Sequence, residues 1–529
     1  SSVSSAQIKL TWNNVSGETL YKIERSPDGS DWTQITTAAA NATSYTNTGL
    51  TDNTAYYYRI RATNTAGDSS YSTPASTTTR MLAPAGLAAA VVSTSRIDLS
   101  WTNSDGETGY RLERQSGSSW LLVANVAADL TSYSHTGLAA GTTYTYRLKA
   151  LNAGGESTPS TTSSGTTIPG AVINLSANAA STSQITLTWT NLAGETGYKI
   201  ERSSDGNDWS QIGTTAANIV TYNDTGLAED TVYYYRVRAY NTAGDAATST
   251  SVNRRTLLPA PVGLAASTGS ASQINLAWTD SATETAYKLE RQSGSTWTTI
   301  ATLAANTITY SDNSRSAGTT YTYRLRAVNA GGSSAPSTTA SAITLPAAPA
   351  ISASVVSNSQ IKLTWTNVSG ETGYTLETSD DGETWATLTT TSVNVATYTH
   401  SGLTSGSRHY YRVFATNAAG DSSRSAQVSP TTQLDAPTSL AASVFSSTQI
   451  NLSWDDLADE TGYRIERLSG TTWSTVATVA ANTSTAQVTK LSGGTNYTFR
   501  VRALNAGGAS APSATAAALT TPSAPTLSA

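Results

Sequence analysis

Apolar and polar residues alternate along short runs of this chain. In AQIKLTW, Ile8, Leu10 and Trp12 share one face while Lys9 and Thr11 share the other, the period of two that a half-buried strand requires. In GETLYKIER, Tyr21 and Ile23 face inward and Lys22 and Glu24 outward; in YYYRIRATN, Tyr56, Tyr58, Ile60 and Ala62 face inward and Arg59 and Arg61 outward. Asp28-Gly29 between two such runs marks a hairpin, because Gly tolerates the positive φ of a tight turn. Turn signals recur and helical periodicity does not, so the pattern predicts a two-layer antiparallel sandwich.

The pattern then repeats. All 12 tryptophans fall into six pairs, and the first members, Trp12, Trp101, Trp189, Trp278, Trp365 and Trp454, are 89, 88, 89, 87 and 89 residues apart. Six copies fill the chain as 1–80, 81–167, 168–257, 258–344, 345–433 and 434–520, with 521–529 reading as the opening strand of a further copy. No room remains for an inserted catalytic domain. The first, third and fifth units carry a longer hairpin (SPDGSDW, SSDGNDW, SDDGETW) and then TNTAGD, YNTAGD or TNAAGD; the even units read QSGSSW, QSGSTW or LSGTTW and then NAGG. The true period is therefore a pair of units, copied three times.

A Trp closing the second strand, a Tyr-x-Ile/Leu strand after it and GLTDNTAYYYRIRATNTAG together resemble the fibronectin type III domain, and the resemblance covers the whole chain. It implies an all-β fold, a tandem of seven-stranded antiparallel, immunoglobulin-like sandwiches forming an elongated rod. It also implies a corner Tyr at the start of the sixth strand, six residues after a loop Leu: Leu50/Tyr56, Leu138/Tyr144, Leu227/Tyr233 and Leu491/Tyr497 match. With Tyr321 and the six second-strand tryptophans, these rings are the expected structural core. Arg315 replaces the Leu in the fourth unit and His409 the Tyr in the fifth, so those two corners are expected to be the least well tied. The family's cell-binding Arg-Gly-Asp loop is replaced by Ala66-Gly67-Asp68, so integrin binding does not carry over.

Composition narrows the function classes. Charged residues are 13% of the chain, against about 25% in ordinary globular domains, and Ser, Thr, Ala and Gly fill the difference. The net charge of −5 with no basic stripe offers nothing to nucleic acid, and no apolar run is long enough to span a membrane. Without cysteine there is neither disulfide nor thiolate metal site.

Candidate chemistry is sparse. No Ser-His-Asp set, paired-carboxylate motif or phosphate-binding loop is present, so the chain reads as no enzyme and needs no cofactor. His135 and His400 follow the fifth-strand Tyr133 and Tyr398, where other units have Asn47, Asp224 or Asp312, and are read as polar turn positions. Asp28/Asp31, Asp205/Asp208 and Asp380/Asp381 offer hard oxygens for calcium but lack the alternating loop and closing Glu, so turn chemistry and no metal is the expectation. Glu24, Glu113 and Glu201 on the third strand should pair across to sixth-strand cations as a solvated ladder. In the fifth unit Phe414 takes the place of one cation and becomes a candidate contact. Tyr57, Tyr234 and Tyr410, outward where even units carry Thr145, Thr322 and Thr498, are either cross-strand packing or a row of aromatic faces for lateral contact or a glycan.

The junctions carry Pro and almost no flexible spacer, so six sandwiches in line would reach about 200 Å. In the five internal junctions an apolar residue precedes the next second-strand Trp by 14 residues, as Leu175 precedes Trp189; Leu527, beside Pro525, lies 14 residues ahead of Trp12 of an adjoining copy. The first unit is thus expected to lack its opening strand. A longer periodic chain or strand donation onto Ile8, Leu10 and Trp12 both account for this, and both make the partner another copy, head to tail. The reading is an extracellular or cell-surface structural rod or filament segment. Its alternatives are a carbohydrate- or receptor-binding array using the odd-unit tyrosines, and a spacer of a polysaccharide-degrading enzyme.

Overall fold

The computed structural model describes residues 1–526. Leu527, and with it the residues to 529, lies outside the described residues. The chain divides into two compact units, Ser1–Pro259 with Asn329–Ser333 and Ala260–Val328 with Ser334–Ala529. The described residues form strands and turns with no helix, and each sandwich is built from a three-stranded and a four- or five-stranded antiparallel sheet.

The first sandwich sets the plan: β1 (Ser2–Ser4), β2 (Gln7–Thr11), β3 (Leu20–Ser26), β4 (Thr33–Ala39), β5 (Ser44–Thr48), β6 (Ala55–Asn64), β7 (Gly67–Asp68) and β8 (Ala75–Thr78). One sheet runs β1-β2-β5 and the other β4-β3-β6-β7, with β8 on the far part of β6. The seventh strand is split into β7 and β8, and serine bridges the gap. Ser69 and Ser72 donate their N–H groups to the carbonyls of Ala62 and Ile60 at 2.8 Å, and their Oγ atoms accept from the N–H groups of the same two residues at 3.0 and 3.2 Å. Ser157 and Ser160 repeat this on Ala150 and Leu148, where Pro159 between them has no N–H to give. Part of the serine excess is thus a backbone ladder continued by side chains.

The period-two reading places the core well. Ile185, Leu187, Trp189, Tyr198, Ile200, Tyr235, Val237 and Ala239 are buried together in the third sandwich, and the second, fifth and sixth repeat the set. Each second-strand Trp meets the third-strand Tyr edge-on or tilted, at 5.2 to 5.8 Å between ring centroids. Trp12 is the exception in burial. It and Leu10 are half-buried, whereas Trp101, Trp189, Trp278, Trp365 and Trp454 are all buried.

Several expectations are corrected. The first sandwich does not lack its opening strand altogether, since Ser2 pairs with Ile8 as Val91 pairs with Ile97 in the second. Of the corner tyrosines only Tyr56 is buried; Tyr144, Tyr233, Tyr321 and Tyr497 are half-buried, and the rings at the centre are those two residues on, Tyr58, Tyr146, Tyr235, Tyr323, Tyr411 and Phe499. The corner Tyr ends at the surface because its hydroxyl must reach a loop N–H: Tyr144 accepts from Ala139 at 2.9 Å and Tyr233 from Ala228 at 3.0 Å. The fourth corner is tied despite Arg315, with Ser316 N–H on the Tyr321 hydroxyl at 3.0 Å. The fifth departs as expected. His409 replaces the Tyr, its Nε2 is buried without a partner, and the last strand shrinks to two isolated bridges, Arg408 to Thr431 and Tyr411 to Val428.

Candidate contact faces and joints

The outward face of the larger sheet carries a stacked set in every sandwich. The third-strand Glu pairs with the sixth-strand Arg, whose guanidinium lies over the hairpin Trp: Glu113 with Arg147 at 2.7 Å, and Arg147 over Trp120 at 4.2 Å. Glu24, Arg59 and Trp32 repeat it, as do Glu201, Arg236 and Trp209, and Glu466, Arg500 and Trp473. This is not the solvated ladder expected. Glu113 is 3% exposed, because Trp and Arg roof the carboxylate. Burial alone would raise the Glu113 carboxyl, and the hydrogen bonds from Arg147 and Arg111 outweigh it, so it is held below the usual range. Phe414 is corrected likewise: although outward by parity it is 7% exposed, covered by Arg424 with its guanidinium 4.4 Å from the ring centre. It offers no open contact.

Tyr57, Tyr234 and Tyr410 are half-buried and lie flat on the hairpin glycines. A Cβ added at Gly29 would meet Tyr57 at 3.4 Å, at Gly206 Tyr234 at 3.5 Å, and at Gly382 Tyr410 at 3.2 Å. The long Asp-Gly hairpin and the extra Tyr of the odd sandwiches are therefore one packing unit, and one ring face is already in use. In the same hairpin the Asp28 carboxylate accepts from the N–H groups of Ser30 and Asp31 and from the Ser26 hydroxyl, which hold its pKa well below the usual carboxylate value; the same three kinds of donor bring Asp205 to about 2. The acidic hairpins are turns closed by their own backbone.

His135 and His400 are not turn positions. They lie on the fifth strand opposite Ile97 and Ile361 and point into the core, where Nδ1 of each meets the hydroxyl of Tyr146 or Tyr411 at 2.9 Å. Asn47 donates to Tyr58, while Asp224 and Asp312 accept from Tyr235 and Tyr323. In the sixth sandwich both partners change together, to the buried apolar pair Val488 and Phe499. A second repeated contact escaped the sequence reading: the buried Glu of GETG accepts from a backbone N–H held at positive φ, as Glu195 does from Asn218 (φ 64) and Glu371 from Asn394 (φ 63).

Within each unit, successive sandwiches are joined by one recurring bond. The Asn ending the sixth strand donates to the carbonyl of the buried Thr that closes the sandwich before: Asn152 to Thr79 at 2.9 Å, Asn241 to Thr167 at 2.9 Å, Asn417 to Thr344 at 2.9 Å and Asn505 to Thr432 at 2.8 Å. Even-to-odd joints add two glycines. A Cβ at Gly141 would collide with the Ala193 carbonyl, and one at Gly194 with Gly141; Gly318 and Gly370 stand in the same relation. The first-to-second joint uses a side chain instead, as Asn53 Nδ2 donates to Asp105 O at 3.1 Å.

Split seventh strands, corner tyrosines and these joints define a tandem of immunoglobulin-like sandwiches. The chain belongs to the fibronectin type III family: the family described as Fibronectin type III domain matches residues 1–78, 82–166, 169–255, 346–431 and 435–518. The fourth sandwich has the same strand order as its neighbours. The chain is similar to exoglucanase B of Cellulomonas fimi, 31% identical over 52% of this chain and 26% of the relative. It is also similar to receptor-type tyrosine-protein phosphatase eta of Gallus gallus, 27% identical over 78% of this chain and 30% of the relative. It spans about a third or less of the length of these curated relatives. Among solved structures, the chicken CNTN1 FN1–FN3 domains match at 17% identity and TM-score 0.23, over 67% of this chain and 99% of that one.

Proposed function

We propose that this chain is a non-catalytic structural spacer of a secreted or cell-surface protein, a run of sandwiches that sets the distance between other parts. The observation that carries this is the asparagine joint, repeated with the same donor and acceptor and adding to the proline-stiffened linkers. The relatives support the reading: family repeats of this kind occur in proteins named as a glucan-degrading enzyme and as a receptor, and the shared part here consists of the repeats. Limited proteolysis tests it. The linker after Thr167 should resist cleavage in the native chain, and Asn241→Ala should open it, with cuts near Ile168 about tenfold faster. Native joints cut as fast as the variant's would mean that the sandwiches are loosely strung, and the spacer reading would fall.

A second reading keeps one observation in its favour. Tyr57, Tyr234 and Tyr410 are half-buried aromatic side chains, one in each odd sandwich, of a kind suited to stacking on a sugar ring. Retention on insoluble polysaccharide that is lost in Tyr57→Thr/Tyr234→Thr/Tyr410→Thr would favour a carbohydrate-binding array; equal passage of both proteins through the column removes it.

A further inference from the structure

We propose that the fifth sandwich carries an acid-sensitive release: protonating its corner histidines, His400 and His409, frees the last strand of that sandwich and with it the joint to the sixth. In the other five sandwiches a third-strand guanidinium lies 5.1 to 5.8 Å from the ring centre of the corner Tyr, as Arg202 does at Tyr233. In the fifth both partners change, to Thr378 and His409. A permanent cation is gone, and a titratable ring stands where its partner was. Two of the chain's three histidines meet here, with ring centres 6.4 Å apart.

The pair is poorly placed to hold added charge. Asp380 faces it from the hairpin, 3.6 Å from His409 Nδ1, but its side chain is 95% exposed and water screens it. Tyr398 from the fifth strand and Tyr411 from the sixth pack on His400, while the third and last strands bring the uncharged Thr378 and Pro430. His409 Nε2 is buried with no hydrogen-bond partner among the described residues. Once protonated it has a proton to donate and no acceptor, and two adjoining imidazolium rings repel. Burial, and then the charge of His409, disfavours the proton on His400, with Asp380 opposing.

The strand that this corner holds is weakly paired. His409 N–H donates to Pro430 O at 3.0 Å, and Pro430 has no N–H to return. Where the other sandwiches have a four-residue strand, such as Ala75–Thr78 or Ser163–Thr166, this one has two isolated bridges. Yet the same stretch carries the joint. Thr432 accepts from Asn505 Nδ2 at 2.8 Å, and a Cβ added at Gly507 of the sixth sandwich would meet the Thr431 carbonyl oxygen at 2.2 Å. The turn of the sixth sandwich thus rests on the end of the strand that acid would loosen. Such a release presupposes that the asparagine bond fastens the joint, as the spacer reading holds.

Limited proteolysis of the full chain at pH 7.5 and 5.5 tests the proposal, read as the ratio of cuts near Leu434 to cuts near Met81, which cancels the protease's own pH dependence. Met81 lies in the joint after the first sandwich, where Asn47 and Tyr56 hold the places of His400 and His409. The ratio should rise about tenfold at the lower pH, the effect of one pH unit below 6.5 on one histidine. His400→Asn combined with His409→Tyr should hold it flat. Hydrogen exchange at pH 5.5 should quicken in 426–433 while the third strand, Gly373–Ser379, stays protected. A ratio that is flat in the native chain, or that rises as much in the variant, overturns the proposal. So does equal exchange in Gly373–Ser379, which would mean that the whole sandwich unfolds. The Asn241→Ala result at pH 7.5 bears on the fastening and the pH ratio on the release, so either can fail without the other.

Discussion

Asp224→Ala in the third sandwich is expected to destabilise that sandwich by roughly 3 kcal/mol, and Asp224→Val combined with Tyr235→Phe to recover most of the loss. Asp224 is 5% exposed and accepts at once from the Tyr235 hydroxyl at 2.8 Å and from Arg202 at 3.0 Å. Truncation strands a hydroxyl in a dry core and removes the anion that Arg202 faces. Burial, then the bond to Asp224, pushes the Tyr235 hydroxyl far above the usual phenol pKa, so the ring cannot escape by ionising. The rescue is expected because the sixth sandwich already has this solution in Val488 and Phe499, while Arg202 keeps its stack on Tyr233 at 5.4 Å. Urea unfolding read by hydrogen exchange in peptides of the third sandwich gives the three values. A double variant as unstable as Asp224→Ala alone would show that Tyr235 and Asp224 are not coupled.

Acid should find the second and fifth sandwiches first. Burial holds His400 below the ordinary 6.5, reinforced by the charge of neighbouring His409 and opposed by Asp380; burial and then Arg114 do the same for His135. The folded state therefore binds these protons more weakly than the unfolded chain. The stability is fully present above pH 6.5 and is lost as pH falls below it, at up to about 1.4 kcal/mol per pH unit for each His until the depressed folded pKa is reached. The fifth sandwich should yield most, because the rings of Tyr398, His409 and Tyr411 pack around His400, its corner is untied and its last strand is reduced to two bridges. Melting followed from pH 7.5 to 5 should show the shift, and His400→Asn, the residue of the first sandwich, should flatten it in the fifth. An unchanged pH response in that variant would remove His400 as the cause.

The sequence made the strands legible because their signal is local: alternation such as Ile8, Leu10, Trp12 needs no knowledge of neighbours. The spaced Leu and Tyr of the corner were legible for the same reason. What escaped needed register across strands. His135 reads as a turn residue until β-pairing sets it opposite Ile97 and beneath Tyr146, and Phe414 reads as exposed until Arg424, ten residues away, folds over it. The joints were hidden in plain view. NTAGD or NAAGD marks the odd units and NAGG the even ones, but the acceptor of Asn241 is a carbonyl more than seventy residues earlier in the chain, that of Thr167. Nor does a serine in a turn-rich stretch announce that its Oγ stands in for a backbone carbonyl, as Ser249 does for Val237.

The alternation of joints also bears on how such an array changes length. Even-to-odd contacts need two glycines, Gly141 with Gly194 or Gly318 with Gly370, whereas the first odd-to-even contact places the Asn53 side chain against Gly106. Removing or adding one sandwich sets an odd sandwich against an odd one or an even against an even, a pairing found nowhere else in the chain; removing or adding two keeps the odd-even alternation. The unit of duplication that needs no new surface is a two-sandwich cassette, so natural variants and engineered versions of this array should differ by multiples of two, with single-sandwich deletions paying their penalty at the seam and not within any one fold.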